Sequence, residues 1–482
     1  MNKQTTLVFL FLAVTGFIVF YPGLKVGFVA DDFIWLEKSR HVSEFNLFDT
    51  SSFAFVKGRP GTMLIFSVLD RFFHLYSTGF HCVTLTFHIL NAFLLFLIFH
   101  TIKLNYGFSL LVSLLFLIHF SNEENIFWAA SLCTVFCLFF YLCSVLIYLK
   151  WLENSRMIFK ISGLIFSVLA VSVREDAVTI PLVFLMLHFW NDKAKEDRPI
   201  TWVTSFHKNW LFFLPPLFFL IYRWVSLAQD PRGYSFAFSP VIWVQNIAYF
   251  LVNLLLPVRY AFDKVGYDVQ TEFRNHLMSY QSSVVGVIGI SLLILFFLAV
   301  RARKKIPNLV KAGLLLFFIG LLPYLFLVGN APRFLHFSLI GGMIVISSAL
   351  YAAARLFSMP SPEKFVLLLG AAFTVGNLIV LHERAGWWVR AGQLAENIVA
   401  ESSVLAGNLE KNEAVYITNL PRRINGVYIF HIGYNEAVSL FHPETDRRLQ
   451  DIGTKDFDEL RSYKDRRIFT YKAGKMQEVR IP

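Results

Sequence analysis

Charge is scarce in this 482-residue chain: only 16% of its residues are Asp, Glu, Lys or Arg, against roughly a quarter in a soluble globular domain. With 56% hydrophobic residues and 53 phenylalanines, that shortage excludes a water-soluble globule and leaves a membrane protein. Cysteine is sparse too. Cys82, Cys133, Cys137 and Cys143 all fall inside apolar runs and form no CxxC pair, which excludes a disulfide framework and a zinc site of ordinary spacing. No helical repeat of about 34 residues occurs, so a repeat scaffold is excluded as well. The net charge of +11 would suit a nucleic-acid binder in a polar chain. In an apolar one it reads as cytoplasmic-loop Lys and Arg facing anionic lipid.

What the chain has instead is long apolar runs, at 5–21, 80–102, 107–121, 127–149, 158–173, 176–190, 209–227, 240–257, 282–300, 311–328, 333–356 and 363–381. The first follows Lys3 but ends in Tyr21-Pro22-Gly23 with no small-x-small cleavage site, so it reads as a retained anchor. Basic loops at 150–160, 193–208, 301–311 and 355–364 belong on the cytoplasmic side. All four stay there if 240–257 re-enters or lies along the surface. The fold class is therefore an all-α polytopic membrane protein of about 11 transmembrane helices plus one re-entrant or interfacial segment. It would sit in the cell inner membrane, with residues 1–382 as the transmembrane domain and 22–79 as a long first exported loop. Residues 383–482 are no longer a membrane sequence. A helical period over 383–409, strand-like runs at 414–418 and 427–430, and a hairpin of 467–471 with 476–481 predict a small exported α+β domain.

In this topology ionisable residues gather at the outer ends of spans, where removal from water makes them functional candidates. Asp31-Asp32 follows the first span. Adjacent carboxylates there can serve as a general base, bind a divalent cation, or cap a helix over 33–40. Asn122-Glu123-Glu124-Asn125 reads as a catalytic turn or an ordinary solvated one, with His119 one turn earlier. Arg174-Glu175-Asp176 is squeezed between two spans, and mutual ion pairing is its plain explanation. Arg59, Arg174 and Arg333 sit outside against the positive-inside bias, as phosphate ligands or as snorkelling anchors. His81 and His88, seven residues apart on one span, read as polar contacts to neighbouring helices.

Taken in order, these pieces resemble a known family. Asp31-Asp32 is followed by Arg59-Pro60, Gly79-Phe80-His81, His88-Ile89-Leu90-Asn91-Ala92, and His119 with Glu124 and Trp128. Arg174-Glu175-Asp176-Ala177-Val178 with Pro181, and Arg333-Phe334, complete the set. The set resembles bacterial glycosyltransferases of the GT-C fold, a superfamily of protein O-mannosyltransferases and of aminoarabinose and oligosaccharyl transferases. Within it the likeness is to the branch of the transmembrane-and-tetratricopeptide O-mannosyltransferases and their bacterial relatives, and it covers most of residues 1–340. Four departures stand out. Arg174-Glu175 replaces the usual Lys-Glu, His119-Phe120 the usual His-Pro, and Phe334 the usual tyrosine, and the small C-terminal domain replaces the repeat tail.

The resemblance implies an enzyme that takes a sugar from a polyprenyl-phosphate donor and passes it, with inversion, to an acceptor hydroxyl of a protein or glycolipid on the exported face. It implies Asp32, or to a lesser degree Asp31, as base, and Arg59, Arg174 and Arg333 on the phosphate. His119, Glu124 and Glu175 would bind or orient substrate. It requires no cofactor and no metal ligand set, while leaving room for a divalent cation (Mg or Mn) across the carboxylates. A lipid or polysaccharide transporter or flippase would place its charges nearer the bilayer midplane, and an oligosaccharide ligase would share this site. A reporter fused after Pro482 is expected to read as exported. A cytoplasmic signal would make 240–257 a true crossing.

Overall fold

Long apolar stretches can satisfy their backbone in a bilayer only as helices, and helices dominate the chain. The computed structural model describes residues 3–40, 58–193, 202–227, 237–268, 307–356, 362–408, 415–441, 449–453, 459, 467–472 and 474–479. The first helix, α1 (Lys3–Phe20), is followed by two shorter ones, α2 (Asp31–Arg40) and α3 (Pro60–Phe73). The helical body continues with α4 (Ser77–Thr101), α5 (Tyr106–Ile118), the short α6 (Glu123–Phe127), α7 (Leu132–Asn154), α8 (Met157–Val173) and α9 (Ile180–Lys193). Beyond these lie α10 (Trp202–Asn209), α11 (Leu214–Leu227), α12 (Pro240–Leu255), α13 (Val258–Asp268), α14 (Asn308–Leu321), α15 (Ser338–Leu356) and α16 (Pro362–Gly407).

Among the described residues three helical stretches are long and apolar enough to cross a membrane, Lys3–Lys25, Ser77–Thr101 and Ala129–Asn154. The 25 residues of α4 reach about 37 Å, more than a hydrocarbon core of roughly 30 Å. Two bent pairs raise the number to five, and Met157–Val173, Asn308–Tyr324 and Ser338–Ala352 are shorter apolar helices. The run at 282–300 and the basic cluster at 301–305 lie outside the described residues. The segment expected to re-enter, 240–257, forms α12 and then turns by 83° into α13. Its Asn246, in the first half of α12, donates to the carbonyls of Tyr324, Leu325 and Leu327 and ties that helix to the segment just after α14.

The C-terminal segment begins inside a helix. α16 is 46 residues long and runs without a break from the apolar stretch through Glu383 into the polar part of the chain. The strands β1 (Val415–Thr418), β2 (Arg423–Ile424), β3 (Val427–Tyr428), β4 (Leu449–Asp451), β5 (Arg467–Lys472) and β6 (Lys475–Glu478) follow, with α17 (Tyr434–Phe441) between β3 and β4. They form a four-stranded sheet in the order β4-β1-β5-β6. β1 is parallel to both its neighbours, and β5–β6 is the antiparallel hairpin expected from 467–481. The strand expected over 427–430 is shorter. It pairs with β2 as a separate ribbon around Asn425 (φ 47°) and Gly426 (φ 76°), the two positive-φ positions of a tight hairpin turn.

Two glycines let the C-terminal segment meet the first loop. Gly27 and Gly392 of α16 approach so closely that a Cβ on Gly392 would lie 2.5 Å from the Gly27 nitrogen. Gly392→Ala is therefore expected to destabilise the protein by about 1–3 kcal/mol through overpacking, seen as a lower melting temperature in detergent. Gly386→Ala, on the same helix with open space around it, is expected to leave melting unchanged or slightly raised.

Candidate active site

Residues at one end of the helices converge from four segments: the loop 26–33, the turn 119–131, the turn 174–179 and the stretch 330–336. The two neighbouring aspartates divide their work there. Asp32 is 1% exposed, its Oδ2 accepting from Val29 N–H (2.9 Å) and its Oδ1 from Ala130 N–H (2.5 Å). These bonds run backwards and across to the turn before α7, so Asp32 staples two loops together and does not cap α2. Asp31 keeps 19% of its side chain exposed, and its Oδ1 accepts no hydrogen bond from the described residues. Burial raises its pKa to about 6, against the pull of Arg333, its own backbone N–H and Arg59. Ala30, just before, has φ 47°, a left-handed conformation costing an L-residue about 1–2 kcal/mol. Its N–H is held by the Ile429 carbonyl at 2.8 Å.

Each cation expected at this face has an acidic partner. Arg59, where the chain enters α3, makes a two-pronged contact with Glu175, Nε–Oε2 at 3.0 Å and Nη2–Oε1 at 2.5 Å. Arg174 is sealed in, with Nε 2.6 Å from Asp176 Oδ2 and its Nη atoms donating to Thr134 and, at 3.1 Å, to Tyr324 Oη. Tyr324 also donates to Asp176 and stacks on Phe334, the residue found in place of the expected tyrosine. Arg333 lies 2.6 Å from Glu124, with its guanidinium centre 5.0 Å from the Trp128 ring. His119 is placed elsewhere. Its Nδ1 contacts Ser121 Oγ at 2.8 Å and its Nε2 the Leu254 carbonyl at 3.1 Å, so it fastens the end of α5 to α12.

Several participants carry no signal in the sequence. Arg259 reaches Glu124 at 2.7 Å from α13, and Arg384 of α16 binds Glu123 with both prongs, Nη2–Oε1 at 2.5 Å. Arg384 also reaches Asp263 at 3.1 Å and the Asn425 carbonyl at 3.2 Å. A chain of alternating charge therefore runs Glu123–Arg384–Asp263–Arg259–Glu124–Arg333. The C-terminal segment adds Tyr428, 5.4 Å from the Trp128 ring and 4.4 Å from that of His431. His431 Nε2 lies 3.9 Å from Asp31 Oδ1. Burial and the nearby Arg423, Arg333 and Arg422 lower the His431 pKa to about 4, so the imidazole is neutral near pH 7. Charged pairs far apart in sequence leave no periodic trace, though Asn425-Gly426 is a readable hairpin signal.

Among the described residues no group of three His, Cys, Asp or Glu side chains could hold a metal ion. Glu123, Glu124, Glu175 and Asp176 are each engaged by arginine, a donor set that does not fit a divalent cation. A cavity of about 700 Å³ lies between α4, α7, α9, α14 and α15, lined mostly by Leu, Ile, Val and Phe. Tyr141 is on its wall and contacts Thr179 Oγ1 at 3.2 Å, within the turn that carries Arg174 and Asp176.

No protein-family model and no curated protein sequence matches the chain. Among solved structures it is similar to the archaeal oligosaccharyltransferase AglB from Archaeoglobus fulgidus, in complex with an inhibitory peptide and a dolichol-phosphate. The identity is 10% and the TM-score 0.49, over 93% of this chain and 64% of AglB, so the chain spans less than two thirds of that protein. It is also similar to ArnT from Cupriavidus metallidurans bound to undecaprenyl phosphate, at 11% identity and TM-score 0.43, over 98% of this chain and 93% of ArnT. At such identities the chain's own residues must carry the functional reading.

Removing Arg384 leaves Glu123 buried without its two-pronged partner and Asp263 with Arg259 alone. Arg384→Met is expected to cost about 3–5 kcal/mol, measured as thermal unfolding in detergent. The double variant Arg384→Met/Glu123→Gln is expected to recover part of that loss.

Proposed function

We propose that the protein is a GT-C-type membrane glycosyltransferase that moves a sugar from a polyprenyl-phosphate donor to an acceptor hydroxyl on the exported face, with inversion. The observation that carries this reading is Asp31, a carboxylate 19% exposed whose buried Oδ1 has no hydrogen-bond partner among the described residues, under the charges of Arg333 and Arg59 at the rim of an apolar helix bundle. A lipid-linked donor comes from the bilayer side, so its reacting carbon has to be met at that rim. The apolar cavity beside the Arg174–Thr179 turn suits an isoprenoid tail.

The reaction needs few parts. The acceptor oxygen attacks the anomeric carbon from the face opposite the phosphate, and its proton passes to the Asp31 carboxylate. As the new C–O bond forms, the bond from the anomeric carbon to the phosphate oxygen breaks, leaving polyprenyl phosphate. Phosphate is a competent leaving group, so the arginines have only to stabilise its growing charge. Arg59 and Arg333 are suited to this because each is anchored by a carboxylate yet remains partly exposed. Glu175 and Glu124 hold those two guanidiniums in place, while Arg174 with Asp176 braces the turn beneath. A carboxylate with a pKa of about 6 is a better base than an ordinary aspartate and is still ionised near neutrality. Asp32 is assigned to positioning, since both its oxygens are taken by backbone N–H groups.

Membranes containing the protein and a polyprenyl-phosphate sugar are expected to release polyprenyl phosphate. The rate should climb as pH rises through about 6, where Asp31 loses its proton. Asp31→Asn is expected to lower it by about 10²–10⁴-fold with normal insertion. Full activity in that variant would remove Asp31 as the base.

A further inference from the structure

The resting site has one unmet polar demand with a second polar group close beside it. Asp31 Oδ1 is a buried atom without a hydrogen-bond partner among the described residues, and His431 Nε2 stands 3.9 Å from it, the two side chains coming from different parts of the chain. Asp31 comes from the loop after α1. His431 comes from the loop between β3 and α17, beyond the far end of the sequence's longest helix.

The packing around the pair fixes this approach. Ala30 N–H binds the Ile429 carbonyl, Phe33 stacks on Phe430 with ring centres 5.7 Å apart, and Gly433 (φ 88°) closes directly on the Ala30 carbonyl, where a Cβ would collide. His431 therefore has little freedom to move away, and its ring rests on Tyr428, which rests on Trp128. The separation of 3.9 Å between Nε2 and Oδ1 is too long for a direct hydrogen bond. It is the separation that two hydrogen bonds of about 2.8 Å give when they meet near a right angle on one shared oxygen. Only a group that both donates and accepts can fill that position, and a hydroxyl does so.

We propose that His431 is a positioning residue of the acceptor site: its Nε2–H and the Asp31 carboxylate together hold one hydroxyl oxygen of the incoming acceptor. The hydroxyl gives its hydrogen to Asp31 and takes a hydrogen bond from His431, and its second lone pair is left aimed at the sugar. When the new bond to the anomeric carbon forms, the hydroxyl proton moves to Asp31, and the imidazole neither gains nor loses a proton. The neutral state of His431 fits this role, because a cationic imidazole would pair with Asp31 and weaken the base. This inference rests on the transferase reading. It adds that the C-terminal segment contributes a group to the acceptor site besides covering it.

The test uses the full chain in a deletion strain, where the native donor and acceptor are present, with surface glycans and glycoproteins quantified by mass spectrometry. His431→Ala is expected to leave about a tenth of the product or less, the scale of one lost hydrogen bond at a reacting group. His431→Gln, which keeps an N–H at similar reach, is expected to restore more than half. His431→Phe keeps the ring on Tyr428 but has no N–H, and is expected to behave like His431→Ala. All three are compared at equal membrane content and with melting measured in detergent. Wild-type product in His431→Ala, or rescue by Phe equal to that by Gln, would overturn the proposal. Asp31→Asn separates the two levels. Full product in that variant defeats the underlying base assignment, whereas loss of product there with normal His431→Ala defeats only the role of His431.

Discussion

Arg384 is the joint on which the rest of the site depends. Its side chain is 1% exposed, and in that position an unpaired guanidinium would be prohibitive. It is tolerable because Glu123, Asp263 and the Asn425 carbonyl converge on it from three different elements. Each of those groups is in turn committed by the contact. The turn before α7, the helix after the 83° bend and the β2–β3 hairpin are thereby drawn to one point. The same chain of charges continues through Arg259 to Glu124 and on to Arg333, so the guanidinium nearest the proposed chemistry is aimed by an ionic network that begins on α16.

Such a network is a costly way to gain stability, because every charge in it has lost its water. Its more evident product is orientation. Glu124 is held from two sides by Arg259 and Arg333, so the carboxylate cannot rotate without breaking a contact. Arg59 and Glu175 face each other with both prongs. The arginines at this end contribute positive charge in fixed directions, and a phosphate arriving there would meet donors that need little rearrangement.

Much of this was legible from one line of residues. The scarcity of charge marked the bilayer, and the charges that remained marked the end of the helices where Asp31, Arg59, Glu124, Arg174, Glu175 and Arg333 meet. The hairpin at 467–481 was also readable, since alternation and a Gly-containing turn are local signals. The difference between Asp31 and Asp32 was not. Adjacent aspartates are equivalent in a sequence, and only the position of the Ala130 N–H decides which one is enclosed. His119 looked like a site residue because it follows a span, yet its ring is spent on Ser121 and Leu254. Arg259, Arg384 and His431 escaped for the opposite reason. Each faces a carboxylate more than a hundred residues away, and the one local pair, Arg259 with Asp263 four residues on, does not point to Glu124.

The unbroken helix from Pro362 to Gly407 has a mechanical meaning. At 1.5 Å per residue it is a rod of about 69 Å, more than twice the thickness of a hydrocarbon core. Arg384 sits near its middle, and Gly392, which touches the first loop, lies only two turns farther along. The sheet and α17 lean on its far third, through Glu401 to Met476 and Ser402 to Tyr434. Hairpin, loop and ionic joint are therefore fastened to one continuous rod, and none can shift along its axis without the others.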